Sequence, residues 1–160
     1  LSALENNIIG PNFKVKCTGK TELYGQTFHC WKEKGHGVMS LKNAMKQSCD
    51  TYFYEIARLL GVDRLKITAE KFGLGEKVLG SYFKNEKKGL FPNTSWKKNN
   101  LGKGWVLGET LITGIGQGYT QTTPLQLCLM TAQIANGGYP IKPKIIVNNN
   151  PLEQQLVEPH

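Results

Sequence analysis

Two stretches of helical periodicity, separated by a short polar corner, constrain this chain more than any other feature of its sequence. Apolar side chains recur at helical spacing over 41–47 and again over 51–60. Ser40 can cap the first stretch, and Gly61 suits the left-handed residue that ends many helices. We therefore predict two buried helices that flank the corner at residues 48–50.

Residues typical of the starts and ends of helices predict three more helices. Residues 1–7 have a helical pattern, and a further helix is predicted over 63–72. Thr123 and Pro124 form a strong helix start, because proline at the first helical position has a preset φ and lacks an N–H that would be unpaired there. This last helix is predicted to end at the Asn-Gly-Gly sequence of 136–138.

The remaining sequence predicts short strands and long loops. β-branched and polar residues alternate loosely around Val15–Cys17, which indicates a short strand or hairpin. Ile141–Val147 is typical of an edge strand, because its proline would interrupt the ladder of a central one. The glycine- and lysine-rich stretch 73–108 has no sustained period and is predicted to be mostly loop. The chain should thus be predominantly α-helical, with a mobile tail after Val147.

The charge distribution argues against a nucleic-acid-binding protein. The formal net charge is +8, from 20 Lys and Arg against 12 Asp and Glu. Nucleic-acid surfaces usually concentrate basic residues on one element, whereas the lysines here are scattered from Lys14 to Lys144. The concentration between Lys84 and Lys103 is interrupted by Pro92, so we interpret it as a solvated loop. No apolar run is long enough to span a membrane.

The polar corner is the first candidate for chemistry. Ser48 and Asp50 are two residues apart, and from a turn between apolar helices both side chains can face one cleft. On local sequence alone, such side chains are more often caps that accept hydrogen bonds from backbone N–H groups. Longer blocks of sequence are needed to choose between these interpretations.

Several sequence blocks surround this corner in a characteristic order. They are GHG at 35–37, SCDTYFY at 48–54, GVDRL at 61–65, KFGLG at 71–75, PNTSWK at 92–97, GIGQGY at 114–119 and TTPLQ at 122–126. In order and approximate spacing, from about Leu4 to Ile146, they resemble class B penicillin-binding proteins of the elongation-specific group called penicillin-binding protein 2. The third residue of the Ser-x-Asp motif, Asp50, is more commonly asparagine in the wider family, and an aspartate at this position is also similar to that group.

The resemblance implies a fold and a reaction. The parent fold would be α/β, of the penicillin-binding protein transpeptidase and serine β-lactamase type, and 1–160 would run from the end of the nucleophile helix to before the Lys-Ser/Thr-Gly strand. The implied reaction is acyl transfer from D-Ala-D-Ala peptides in peptidoglycan crosslinking. Ser48 would relay a proton, and Asp50 would hold the catalytic lysine and the substrate amide.

The nucleophile of that reaction is not expected within this sequence. Ser-x-x-Lys occurs at Ser81–Lys84 and at Ser95–Lys98, but both follow the polar corner in glycine- and lysine-rich loops, so we interpret them as coincidental. No Lys-Thr-Gly or Lys-Ser-Gly occurs. The chain alone is therefore expected to be inactive and not to be acylated by penicillin.

The resemblance also implies partners and a location for the parent protein. Its ligands would be peptidoglycan stem peptides and β-lactams, and its protein partners a glycan polymerase and other components of the elongation complex. No nucleic-acid partner is expected. The parent would lie on the periplasmic face of the bacterial inner membrane, anchored by an N-terminal helix absent from this sequence.

The four cysteines allow either disulfides or a metal site. Four thiols in an exported domain would form two disulfides. Cys128, however, belongs to an apolar helix face, where we expect a buried free thiol. Three thiols cannot pair internally, but with one histidine they make a complete tetrahedral set for structural zinc. That set is Cys17, Cys30, His36 and Cys49.

The spacing of the cysteines alone does not decide between a zinc site and disulfides, because the set contains no C-x-x-C pair. The resemblance favours zinc, since some members of the group place a histidine and a cysteine at the points of His36 and Cys49 to hold zinc beside the active site. His29 is a rival ligand, but neighbouring side chains of an extended segment point to opposite faces, so it should not share an ion with Cys30. The alternative function is a zinc-stabilised basic binding module for nucleic acid or an anionic membrane surface.

Overall fold

The computed structural model of the chain describes residues 1–80 and 83–144. Its helices are α1 Ser2–Glu5, α2 Leu41–Lys46, α3 Asp50–Leu60, α4 Val62–Lys71, α5 Thr94–Leu101, α6 Leu107–Gly114 and α7 Pro124–Ala135. Its strands are β1 Lys14–Cys17, β2 Lys20–Leu23, β3 Gln26–His29 and β4 Gly37–Ser40. The predicted class, mainly helical with a few short strands, is confirmed. Within the described ranges, no helix has the length and apolar character that a membrane crossing requires.

The chain divides into two compact units. The first consists of Leu1–Thr68 and Pro92–Thr120, and it contains all four of the strands above together with the corner at 48–50. The second consists of Ala69–Phe91 and Gln121–His160, and its described part contains α7. The site discussed below therefore lies entirely within the first unit.

The strands form two antiparallel pairs. β1 pairs with β4, which places Cys17 opposite Gly37, and β2 pairs with β3 in a hairpin. The strand predicted around Val15–Cys17 is thus present. Strand β4 leads directly into α2. The pairing of β4 with β1 therefore holds the segment between these two strands close to the start of α2, the first of the helices that flank the corner.

The two helices predicted around the corner are confirmed. The Ser40 hydroxyl caps α2 by accepting from the backbone N–H of Asn43, and α3 ends before Gly61, which has a φ of 82°. Tyr52 of α3 is fully buried, and its hydroxyl donates to the carbonyl of Phe13 over 3.3 Å. The helices predicted at the N-terminus and after Gly61 are also present, as α1 and α4.

The prediction that 73–108 is mostly loop is confirmed over the described residues, but this stretch also contains α5 and the start of α6, which the sequence did not predict. The Asn93 side chain caps α5 by accepting from Trp96 N over 2.8 Å. Lys97 of α5 is buried, and its Nζ lies 2.5 Å from Glu109 Oε1 of α6. A mostly polar helix is thus stabilised by a buried ion pair with a later segment, which its own periodicity does not reveal.

Helix α7 begins as predicted but buries a different face. The Thr123 hydroxyl accepts from Gln126 N over 3.2 Å, with proline at the first helical position. Cys128 is exposed, which corrects the prediction of a buried thiol. The amide of Gln126 is instead buried and donates to the carbonyls of Glu76 and Lys88 over 2.7 and 2.8 Å. Loop carbonyls that need a donor therefore select the inward face of the helix.

The predicted edge strand at Ile141–Val147 is not formed over residues 141–144. Residues 145–147, and the tail that was expected to be mobile, lie outside the described residues.

The ion pair between α5 and α6 provides a test of the fold. We expect Lys97→Met to lower the free energy of unfolding by about 3–5 kcal/mol, because it keeps the apolar volume but leaves the Glu109 carboxylate enclosed without its cation. Lys98→Met changes the next, exposed lysine of the same helix and should cost less than about 0.5 kcal/mol. Urea unfolding monitored by circular dichroism would measure both, and equal stabilities would refute the assigned role of the pair.

Candidate functional site

The backbone of the corner has an unusual conformation at Ser48. This residue has a φ of 50°, in the left-handed region that side-chain-bearing residues seldom adopt. Such a conformation costs roughly 1–3 kcal/mol and is found where the surrounding structure enforces it, commonly at functional sites. The turn leaves Ser48 exposed, Cys49 fully buried and Asp50 half-buried. The two polar residues are thus directed away from the core while the thiol between them enters it.

Ser48 and Asp50 line the same cleft, whose volume is about 460 Å³. The cleft is completed by Met45 and Phe53 from the flanking helices and by residues 114–116 at the end of α6. Helix α6 can approach α3 closely because Gly114 has no side chain; a Cβ there would collide with the Cβ of Ala57. This close packing makes residues 114–116 one wall of the cleft that Ser48 and Asp50 line.

The functional groups of the corner do not serve as helix caps. One carboxylate oxygen of Asp50, Oδ2, accepts from the backbone N–H of Trp31 over 2.9 Å, and α3 has no side-chain cap. Within residues 1–80 and 83–144, no hydrogen bond is made by Ser48 Oγ or by the second carboxylate oxygen of Asp50. A hydroxyl and a carboxylate oxygen thus remain available to a molecule in the cleft.

The four residues of the predicted metal set lie together behind the corner. Their candidate ligand atoms are all within 4.8 Å of one another, whereas His29 is exposed and outside the group. His36 Nδ1 lies 3.6 Å from Cys17 Sγ and 3.5 Å from Cys30 Sγ. Two ligands of a tetrahedral zinc ion, one sulfur and one nitrogen, are about 3.6 Å apart. The donor atoms therefore fit a four-coordinate ion, and all four cysteines of the chain are free thiols.

The thiols of this cluster differ in how readily they ionise. Burial opposes ionisation of Cys17, but hydrogen bonds from Thr51 and His36 and from backbone N–H groups outweigh it and lower the pKa of Cys17 to about 6. Burial raises the pKa of Cys49 to about 12, and the adjacent sulfurs of Cys17 and Cys30 contribute to that rise. Because the thiolate is the form that binds metal, a cation is the group that would let these buried sulfurs ionise together.

Two glycines allow the segment that carries His36 to reach Cys17. Gly35 has a φ of 75°, and a Cβ on it would collide with the backbone from Cys17 to Gly19. A Cβ on Gly19 would likewise collide with the carbonyl of Glu33. Backbone thus crosses backbone at this point without intervening side chains, which brings the imidazole beside the sulfur of Cys17.

The sequence analysis missed two parts of this site. The block at 114–119 was recognised, but not as a wall of the cleft. Trp31 was not identified at all, although its backbone and side chain both bind the corner. No signal in the local sequence could have indicated Trp31, because its partners lie sixteen or more residues away along the chain.

The chain is similar to several known proteins. The family model for the penicillin binding protein transpeptidase domain matches residues 1–160. The crystal structure of Pseudomonas aeruginosa PBP2 in complex with WCK 5153 is 42% identical with a TM-score of 0.85, over 89% of this chain and 32% of that one. Helicobacter pylori PBP2 in complex with MreC is 36% identical with a TM-score of 0.86, over 92% of this chain and 28% of that one. The peptidoglycan D,D-transpeptidase MrdA of Escherichia coli K12 is 32% identical over all of this chain and 26% of its own length.

These similarities define the class of protein to which the chain belongs. The chain belongs to the penicillin-binding protein transpeptidase family. Within that family it belongs to the penicillin-binding protein 2 group, which confirms the resemblance found in the sequence. It spans about a quarter of the length of its MrdA relative from E. coli and so corresponds to part of a transpeptidase domain. The alternative of a zinc-stabilised basic binding module finds no support in these similarities.

The crossing at Gly35 provides a second test. We expect Gly35→Ala to destabilise the protein more than Gly37→Ala, because both positions have a φ of 75° but only the first meets backbone atoms. Gly37→Ala should cost about 1–2 kcal/mol from its left-handed conformation alone. Equal losses in the free energy of unfolding for the two variants would show that the crossing is not tight.

Proposed function

We propose that this chain supplies the Ser-x-Asp part of the active site of a peptidoglycan D,D-transpeptidase. Such an enzyme crosslinks cell-wall stem peptides by acyl transfer from D-Ala-D-Ala. The observation that carries the proposal is the cleft that Ser48 and Asp50 both line, where the Ser48 hydroxyl and one Asp50 carboxylate oxygen make no hydrogen bond within the described residues. A corner that served only to begin α3 would use these groups as caps.

Each residue has a role suited to its chemistry. The Ser48 hydroxyl can donate and accept at once, as a group that relays a proton between a lysine and a leaving amine must do. Asp50, with Oδ2 held by Trp31, retains one oxygen to orient a lysine or a substrate amide. Ser95 and Lys98 form a Ser-x-x-Lys pair on α5, but both are exposed and neither lines the cleft, so we assign them no role.

The relatives also guide the proposed partners and location. The Helicobacter pylori relative is described in complex with MreC. A further similar structure, 33% identical with a TM-score of 0.76, is described as a peptidoglycan synthase complex that coordinates polymerization and crosslinking. By extension, we assign to the parent of this chain a glycan polymerase and elongation-complex partners, stem peptides and β-lactams as ligands, and a place on the periplasmic face of the inner membrane.

The proposed role of Ser48 can be tested in an extended transpeptidase, defined as a protein that carries this chain between an upstream Ser-x-x-Lys and a downstream Lys-Ser/Thr-Gly. We expect covalent labelling by a fluorescent penicillin, slowed at least about a hundredfold by Ser48→Ala, because a positioned proton-transfer group contributes roughly that much or more. Ser95→Ala, at an exposed serine of α5, should label at the unaltered rate. Unchanged labelling of the Ser48 variant in a competent protein would reject the relay.

For the cluster behind the corner, we propose a structural zinc site. The ligands would be Cys17, Cys30, His36 and Cys49, whose spacing and mixed thiol and imidazole character suit zinc. Zinc would supply a cross-link between the segment 17–36 and the residue at the centre of the corner. With four protein ligands, no position remains for a reactive water, so the metal would stabilise the site and take no part in the chemistry.

Elemental analysis of protein purified without added metal tests this site. We expect one zinc per chain in the unaltered protein and in Cys128→Ser, whose thiol is exposed and outside the cluster. Cys30→Ser should lose most of the metal, and chelation of the unaltered protein should lower its melting temperature, because metal binding contributes to folding. Four reactive thiols and no metal in the purified protein would exclude the site.

A further inference from the structure

Trp31 is a large aromatic residue that the fold does not use for its core. It is 64% exposed, so its position is not explained by burial of apolar surface. Its polar contacts are numerous instead. The indole Nε1–H donates to the carbonyl of Gln47 over 3.0 Å and to that of Ser48 over 2.8 Å, and the backbone N–H donates to Asp50 Oδ2 over 2.9 Å. One residue thus contacts both members of the Ser-x-Asp pair.

The two carbonyls that the indole binds lie at the end of α2 and just after it. Carbonyl groups at the end of a helix lack intrahelical partners, and Gln47 is the C-cap residue of α2, while Ser48 follows it in the left-handed turn. The indole N–H satisfies both at once. A change in the Ser48 backbone toward an ordinary conformation would rotate its carbonyl away from the indole, so this contact favours the strained turn over its alternatives.

The indole is itself held in place from two sides. Trp31 directly follows the buried Cys30, and its ring packs edge to face on His36, with centroids 5.2 Å apart and planes at 72°. The bond from its backbone N–H to Asp50 fixes the main chain at the same point. The position of the indole N–H is therefore set in part by contacts other than its own hydrogen bonds to the carbonyls of Gln47 and Ser48.

We propose that Trp31 is a positioning residue whose indole N–H holds Ser48 in the left-handed conformation that turns its hydroxyl into the cleft. This inference deepens the proposed transpeptidase function and rests on it. Trp31 acts through Ser48 and does not line the cleft. Its loss should therefore slow the acylation step and leave the preceding non-covalent binding of a penicillin nearly unaltered.

Two variants of the extended transpeptidase isolate the N–H group. Trp31→Phe keeps an aromatic ring near His36 but removes the donor. Replacement of Trp31 by 3-benzothienylalanine keeps the two-ring shape and places sulfur where the N–H was, so the protein should fold as before. The backbone bond to Asp50 survives in both. The matched control is Trp105→Phe, which removes an indole N–H that donates to the Thr110 hydroxyl over 2.8 Å, away from the cleft.

Stopped-flow labelling with a fluorescent penicillin separates the acylation rate constant from the dissociation constant of the first complex. We expect both Trp31 variants to acylate roughly tenfold more slowly. A change of that size corresponds to the net free energy of about one hydrogen bond, which would no longer favour the left-handed conformation of Ser48. The dissociation constant, the zinc content and the melting temperature should stay close to those of the unaltered protein. Trp105→Phe should acylate at the unaltered rate.

The possible failures can be told apart. An unaltered extended transpeptidase that is never labelled refutes the proposed function and this inference with it. Normal labelling of the unaltered protein with equally fast labelling of the benzothienylalanine variant overturns the role of Trp31 alone. The proposal is also overturned if Trp105→Phe slows acylation as much as the Trp31 variants do. It is likewise overturned if the Trp31 variants acylate slowly only because their melting temperature falls, since Trp31 would then be a general stabilising contact.

Discussion

The arrangement of the site depends on the complete burial of Cys49 between two polar residues that face a cleft. A thiol in the core requires the chain to turn sharply between α2 and α3, and the left-handed Ser48 makes that turn. The buried sulfur lies with those of Cys17 and Cys30, so the irregular segment that follows β1 packs against the start of α3. The buried thiol thus fixes the chain between Ser48 and Asp50, and the contacts of Trp31 act on both sides of the same turn.

The parts of the site that sequence could predict are those that local rules or recognisable blocks encode. The corner was predicted from two helical patterns of apolar residues that end and begin around residues 48–50. The cluster of Cys17, Cys30, His36 and Cys49 was predicted from a count of possible ligands together with the family resemblance. The conformation of Ser48 and the hydrogen bonds of Trp31 could not be predicted. The hydrogen bonds of Trp31 join residues sixteen or more positions apart, and one of them is accepted by the carbonyl of Ser48, so neighbouring residues in the sequence give no sign of them.

The features of the fold that the sequence analysis missed or misjudged have a similar origin. Helix α5 contains few apolar residues, and the residue that it buries is Lys97, paired with Glu109 of α6, which a pattern of apolar positions cannot show. Cys128 was placed inside because leucines and a methionine surround it in sequence. The loop carbonyls instead select Gln126 for the inward face, and this leaves the thiol exposed. In both cases the satisfaction of buried polar groups outweighed apolar periodicity.

The most direct test of the account is a crystal structure of the extended transpeptidase acylated by a β-lactam. The account predicts that Ser48 Oγ lies within hydrogen-bonding distance, about 3.2 Å, of the lysine of the upstream Ser-x-x-Lys motif, with the free oxygen of Asp50 directed to the same lysine or to the bound amide. A Ser48 hydroxyl that turns out of the cleft, or that bonds only to backbone groups of its own turn, would contradict it.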